Sequence, residues 1–289
     1  MKKKIKLFII LLLFLVPLKI FSENTEKNFY KRIVSLTLSG DEMLLGLVAE
    51  NRIAGLSGKI NEDKDFSYVV SKAKKFPKIE SNVEKLIELE PDLVIAADWM
   101  KKDVLSQIED VVSKLYIYDT PDNFEEQKKL IRELGAILKV ESKADEIVNN
   151  MENRLRIVQE KIKPLNKNKK PKILLYTSYQ TTAGKGTTFE NMVELIGGIN
   201  LASEVGIKGS QKISKEKLIE LDPDIIIIPT WSKDESGKFI KFFLEDESFK
   251  NLKAVKNKRV IVVPYAVTTP TSQYMIDGIE VLAQKIYNL

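Results

Sequence analysis

The sequence predicts an α/β protein of two lobes, each built on a parallel sheet and bridged by a single long α-helix. Three observations predict it. Apolar, β-branched runs alternate with amphipathic stretches through both halves of the 289 residues. The segment "EKLIELEPDLVI" (Glu84–Ile95) returns as "EKLIELDPDIII" (Glu216–Ile227), 132 positions later, with conservative changes only. Between the copies lies Glu141–Lys163, 23 residues with neither glycine nor proline. Solenoid repeats recur every ~20–50 residues, whereas a shift this large is the size of a domain.

In order, "RIVSLTL" (Arg32–Leu38) reads as a buried strand. "SGDEMLLGLVAE" starts a helix, with Ser39 or Asp41 as N-cap and Leu44, Leu45 and Val48 on one face. "RIAGLS" is a second strand. "SNVEKLIELE" is a helix capped by Ser81 or Asn82 and stopped at Pro91. "DLVIAA" is a strand without polar alternation, as expected of one covered on both faces. "KLYIYD" is another strand, and Phe124–Leu138 another helix. The long helix carries Ile147, Met151, Leu155, Val158 and Ile162 as one stripe and spans about 35 Å. Pro164 closes it, and "NKNKKP" is a polar break.

The second half repeats the pattern. "KILLYT" is a strand. "TTFENMVELIGG" is a helix capped by Thr187 or Thr188, with Gly197 at its end. "SKEKLIELDPD" is a helix, "IIIIPTW" and "RVIVVP" are strands, and Thr271–Asn288 is the last helix. Strand–helix alternation argues parallel sheets, so the lobes read as Rossmann-like. The division is 1–22 signal peptide, 31–140 N-terminal lobe, 141–164 connecting helix and 171–289 C-terminal lobe. A common αβ junction used twice would also give "L-x-P-D-I-I-I", but near-identity over the whole segment is more than a junction needs.

The first residues read as an export signal. Lys2, Lys3, Lys4 and Lys6 precede an apolar run from Leu7 to Val16, which is short for a membrane span, and Ser22 offers a cleavage point. An uncleaved anchor is the alternative. Removing the five lysines of residues 1–22 from 46 basic residues leaves 41, against 41 acidic. The mature chain is then neutral, which gives no support to nucleic-acid binding. Cysteine and histidine are both absent. Disulfides, a Cys-linked lipid anchor, His or Cys zinc sites and Ser-His-Asp machinery are thereby excluded. The expectation is an unanchored, periplasmic monomer with no resident cofactor or metal.

The two copies also align beyond their strands. Asp98 and Trp99 correspond to Thr230 and Trp231, and these are the chain's two tryptophans. Ligands of α/β sheets collect beyond the carboxyl ends of strands. In a two-lobed clam the tryptophans would face a cleft from opposite sides, each offering a flat apolar face and one donor. Each could instead pack its own lobe.

At this point the chain resembles the substrate-binding proteins of ABC importers for iron chelates, haem and cobalamin. The resemblance lies in "N-x-E-x-L-x-x-L-x-P-D-L-V-I-A" (Asn82–Ala96), "AGKGTTFENMVELIGGINLA" (Ala183–Ala202), "AVKNKRVIVVP" (Ala254–Pro264) and the closing "GIEVLAQKIYN". It covers about residues 31–289. It implies a rigid connecting helix with small closure movements, and an acidic residue on each lobe, Glu84 and Glu216, docking onto arginines of the inner-membrane permease. A first-turn carboxylate also suits its own helix dipole, which is the plainer explanation of both residues.

The resemblance leaves the ligand open. Haem binders of the family use a Tyr or His axial ligand. Histidine is absent, and "FPKIESN" stands where many carry Tyr, though Tyr68, Tyr179 or Tyr265 could serve. A ferric siderophore arrives already chelated and needs aromatic walls with a few cations or hydroxyls. The candidates are Trp99, Trp231, Tyr179, Tyr265, Lys185 and Arg52. Lys185 lies in "AGKG", a permissive turn but not a phosphate loop. Cobalamin would suit the same cleft. A metal-tetrapyrrole enzyme and a purely structural exported protein are the alternatives from other classes. Turnover would mark the first, and absence of any ligand the second.

Overall fold

The computed structural model describes residues 29–80, 82–165, 170–231 and 233–289. The signal peptide, its cleavage point and the cap candidate Ser81 lie outside these residues.

The first lobe runs β1 (Ile33–Ser35), α1 (Leu38–Leu47), β2 (Ile53–Gly55), α2 (Val70–Ala73), α3 (Val83–Leu89), β3 (Leu93–Ala97), α4 (Lys102–Glu109), β4 (Leu115–Tyr118) and α5 (Phe124–Leu138). Then comes α6 (Glu141–Ile162). The second lobe runs β5 (Lys172–Leu175), β6 (Thr181–Ala183), α7 (Thr188–Leu195), β7 (Ile199–Asn200), α8 (Leu201–Glu204), β8 (Ser210–Lys212) and α9 (Lys215–Leu221). It ends with β9 (Ile225–Thr230), α10 (Lys233–Glu245), α11 (Lys253–Lys256), β10 (Val260–Pro264), α12 (Tyr265–Thr268) and α13 (Met275–Tyr287).

Each lobe holds a four-stranded sheet, ordered β2-β1-β3-β4 in the first and β10-β9-β5-β7 in the second, and every pairing within them is parallel. Read from its other edge, the second order is that of the first. β3 is buried along its whole length, as is β9, which is why neither alternates in polarity. A small antiparallel pair, β6 and β8, is added to the second lobe.

The twelve-residue repeat is a structural repeat. α3 and α9 occupy equivalent positions, capped by the side chains of Asn82 and Ser214, which accept from the Lys85 and Lys217 amides. Each buries one leucine completely, Leu86 and Leu218. Each ends on a left-handed residue, Glu90 (φ 43°) and Asp222 (φ 42°). The following proline disfavours a helical conformation at that residue, so the chain turns there into the strand.

α6 is more than a strut. Ala144, Val148, Met151, Val158 and Ile162 are buried, while Ile147 and Leu155 pack at the margin of the same core. That core is continuous through both lobes, joining Ile33 and Ile95 to Ile173, Ile227 and Ile279. Arg154 on α6 pairs with Asp277 at 3.0 Å and Glu280 at 2.6 Å on α13, tying the connector to the last helix.

Two boundaries differ from expectation. The cap of α1 is Thr37, whose hydroxyl accepts from the Gly40 amide at 3.1 Å, rather than Ser39 or Asp41. Ser39 is instead bonded to the Tyr118 hydroxyl at 2.6 Å, and Asp41 is turned inward. The last helix begins at Met275, not Thr271, because Ser272 and Gln273 are engaged with the other lobe.

Candidate ligand-binding cleft

Parallel strands deliver their carboxyl ends to one edge of each sheet, and the cleft forms there. β3 leads to Trp99, β9 to Trp231 and β10 to Tyr265. The cleft measures about 140 Å³. Thr37, Glu42, Phe66, Tyr68 and Trp99 line it from the first lobe, and Tyr265 with Thr269–Thr271 from the second.

Its walls are aromatic. Trp231 stacks on Tyr265 with centroids 4.3 Å apart, and Tyr179 meets Trp231 edge-on at 5.7 Å. Phe66 reaches across from the first lobe to both, 5.4 Å from Tyr265 and 6.0 Å from Trp231. The Ala266 amide donates to the Asp65 carbonyl at 2.9 Å, pinning the Phe66 loop to the opposite lobe. Trp99 stands on the facing wall with 66% of its surface open. Tyr68 stacks on Tyr274 at 4.8 Å, another contact between lobes.

The Tyr68 hydroxyl at the cleft and the indole N–H of Trp231, behind Tyr265, are covered yet have no hydrogen-bond partner among the described residues. An unpaired buried donor costs about 1–3 kcal/mol. Burial first, then the charges of Asp277 and Glu42, push the Tyr68 phenol well above the usual tyrosine range, so it stays a neutral donor.

Glu42 sits at the base of the cleft and joins the lobes. Its carboxylate accepts from the Ser272 hydroxyl at 2.5 Å and the Tyr68 amide at 3.0 Å. Its carbonyl accepts from the Gln273 side chain at 2.6 Å. Burial raises its pKa to about 7, against those hydrogen bonds, and neighbouring Asp41 adds to the rise. Asp41 is also driven up by burial, to about 6, although it accepts from the Ser57 hydroxyl at 2.6 Å and the Asn61 amide at 2.7 Å. No cluster of three or more His, Cys, Asp or Glu among the described residues could hold a metal ion.

Of the residues expected at the site, Trp231, Tyr179 and Tyr265 come together, and of these aromatics Trp99 and Tyr265 line the cleft. Lys185 is exposed, with its backbone bridged to Lys208, just ahead of β8. The next residue, Gly186, has φ +75°, which explains a glycine there. Arg52 is a correction: it is buried, donating to the carbonyls of Tyr30 at 2.8 Å and Leu138 at 2.9 Å, with its guanidinium 3.7 Å from the Phe29 ring centre. Its donors tie the segment just before β1 to the end of α5. Glu84 and Glu216 are both exposed. Glu216 is held below the usual carboxylate range by its own backbone amide and the Ser214 hydroxyl.

Sequence reasoning missed Phe66 and Glu42 as cleft residues and considered Tyr68 only as an iron ligand. For Glu42 a signal existed: two adjacent acids inside the apolar stretch "SGDEMLLGL". Phe66 lies in a polar loop, where nothing marks one aromatic as a lobe-to-lobe contact.

Paired parallel-sheet lobes around an aromatic cleft define a two-lobed ligand-binding protein. The chain belongs to the periplasmic binding protein family, matched over residues 33–266. It is therefore a binding protein rather than an enzyme. It is 29% identical, over 269 residues covering 91% of this chain and 82% of the relative, to YvrC of Bacillus subtilis, an uncharacterized ABC transporter substrate-binding lipoprotein. It is 30% identical over 203 residues, 66% of each chain, to the high-affinity heme uptake system protein IsdE of Staphylococcus aureus. A possible iron-binding periplasmic solute-binding protein from Staphylococcus epidermidis superposes with a TM-score of 0.75 at 26% identity, covering 89% of this chain and 99% of that one.

Proposed function

We propose that this protein is the substrate-binding component of an ABC importer and captures a metal chelate, a ferric siderophore foremost, between its lobes. The observation that carries the reading is the aromatic and hydroxyl-lined cleft at the facing strand ends, with Phe66, Tyr68 and Trp99 on one wall and Tyr265, backed by Trp231, on the other. Flat apolar faces with few polar groups suit a bulky organic chelate whose metal is already coordinated. Trp99, Trp231, Tyr179 and Tyr265 form the binding surface, and Lys185 supplies a cation at its margin.

Haem is the second reading, favoured by the similarity to IsdE. Against it stand the absence of histidine and the neutral state of Tyr68. Cobalamin fits the same aromatic walls. Delivery is to an inner-membrane permease, through Glu84 and Glu216, whose equivalent exposed positions suit a two-fold partner with charge-assisted hydrogen bonds. In this reading residues 31–140 and 171–289 are the lobes, with 141–164 as their connector. The protein acts as a periplasmic monomer released by cleavage near Glu23. YvrC is a lipoprotein, whereas this chain has no cysteine to carry a lipid. No helix among the described residues is long and apolar enough to cross a membrane.

The test is an equilibrium titration of the mature protein with ferric siderophores, haemin and cyanocobalamin, followed by tryptophan fluorescence. Saturable quenching by a ferric siderophore is expected. Binding of none of the three classes would refute the reading.

A further inference from the structure

The cleft, at about 140 Å³, is smaller than the ~300–1,000 Å³ that sites for small organic ligands occupy. The chain itself fills part of the difference. Phe66 lies 5.4 Å from Tyr265, against the second lobe's wall. It is carried by a short segment, Asn61–Tyr68, that is rooted on the first lobe at both ends. Adjacent acids of α1 hold the roots. Asp41 accepts from the Asn61 side chain at 2.7 Å, and Glu42 from the Tyr68 amide at 3.0 Å. Between the roots the segment keeps its own shape around Asp63. The Asp63 carbonyl accepts from the Phe66 and Ser67 amides at 3.1 and 2.9 Å, and its side chain from the Asp65 amide at 2.8 Å. From that turn three residues cross to the second lobe. The Asp65 carbonyl accepts from the Ala266 amide at 2.9 Å, Phe66 meets Tyr265 and Trp231, and Tyr68 stacks on Tyr274.

We propose that Asn61–Tyr68 is a self-occluding strap. In the unliganded protein Phe66 occupies the face of Tyr265 that a ligand needs, and binding requires the crossing contacts to let go while the roots hold. The inference rests on the ligand-binding function proposed above and adds an internal competitor to it. The strengths of the two attachments decide which end yields. Asp41, Glu42 and Asn61 are buried, so breaking a root strands polar groups away from water. Asp65 and Phe66 are half-buried, and their crossing is one backbone hydrogen bond with ring contacts that a ligand can replace. The turn at Asp63 makes no use of the second lobe, so the strap keeps its form when released. A closed strap lowers the affinity of every ligand by one common factor, the fraction of molecules in which it is released. It therefore sets how tightly and how fast the protein binds, and leaves the choice of ligand to the cleft walls.

The chain has no cysteine, so a double variant of the mature protein, Asp65→Cys with Ala266→Cys, can be cross-linked only at the crossing. Without ligand, oxidised glutathione should close an intramolecular disulfide there, read by intact mass. A ferric trihydroxamate, haemin and cyanocobalamin are then titrated by tryptophan fluorescence. The probe that quenches the reduced variant should bind the cross-linked one roughly a hundredfold more weakly, and reduction should restore it. Phe66→Ala should bind the same probe about tenfold more tightly, with faster association, because the ring contacts that hold the strap closed are gone. Three results would each overturn the inference and leave the binding function intact: no cross-link in the unliganded protein, equal affinity of the cross-linked and reduced forms, or weaker binding by Phe66→Ala. The last would make Phe66 a wall of the occupied site. Failure of all three probes to bind the wild-type protein would instead remove the binding function proposed above, and the strap's role with it.

Discussion

The α3–β3 unit and the α9–β9 unit are nearly the same sentence in sequence and nearly the same object in space. Cap, buried leucine, exposed glutamate and left-handed exit recur in register. Just past the strand the likeness ends. Trp99 projects with two-thirds of its surface open, whereas Trp231 lies stacked on Tyr265 with its N–H covered. The helix and strand are written by local chemistry, and their copies agree. What a side chain beyond the strand does depends on the partner brought to it, and only the second lobe brings Tyr265 from the end of β10.

The strongest way to break this equivalence is at the buried leucines. Leu86→Ala and Leu218→Ala should each cost about 2–5 kcal/mol of unfolding free energy, by similar amounts, because both are fully buried. Denaturant unfolding of the two variants measures it, and costs differing by several kcal/mol would show that the copies are equivalent in shape alone.

The next effect separates the lobes by pH. Asp41 and Glu42 on α1 have native pKa values of about 6 and about 7, above their ordinary values of 3.8 and 4.5. The native state therefore binds more protons than the unfolded chain between about pH 4 and 7, so their contribution to stability is complete below that range and is lost as pH rises through it. With no histidine in the chain, these acids dominate the window. Thermal melting should show higher Tm at pH 5 than at pH 8. Glu42→Gln should remove most of its share, up to about 3 kcal/mol, and an unchanged profile in that variant would mean Glu42 is not buried as described.

A smaller effect sharpens the tryptophan contrast. Trp231→Ala should lower stability by about 2 kcal/mol through lost stacking and burial, and Trp99→Ala by less than about 0.5 kcal/mol. In the single-tryptophan variants, acrylamide should quench Trp99 much more strongly than Trp231. Equal quenching would erase the distinction.

The smallest expected effect on the isolated protein is at the lobe surfaces. Glu84→Ala and Glu216→Ala should leave ligand affinity within twofold and stability within about 0.5 kcal/mol. In reconstituted vesicles with the cognate permease, the double variant should lose uptake, and what remains should depend less on salt. Undiminished uptake would make both residues ordinary helix-start glutamates.

Much of the fold was legible because its signals are local. The Pro-Asp stops, the unbroken apolar strands and the caps at Asn82 and Thr187 are read within a few residues of where they act. Phe124–Leu138 forms a helix with the bounds expected from its periodicity. Of the cleft lining, the sequence marks only the residues just past strand ends, Trp99 and Tyr265. Arg52 looked like a ligand-binding cation because nothing local shows that the carbonyls of Tyr30 and Leu138 will meet its guanidinium.

By itself, then, the sequence determined the two-lobed α/β architecture, its internal duplication and the exclusion of His and Cys chemistry. These follow from periodicity, turn chemistry and residue inventory. Only the tertiary structure decided that Glu42 would be buried at a lobe junction, that Phe66 would cross to Trp231 and Tyr265, and that the Tyr68 hydroxyl and Trp231 indole N–H would be covered with no partner among the described residues. Those outcomes depend on groups far apart in the chain meeting in a low-dielectric space, where burial sets their charge and pairing.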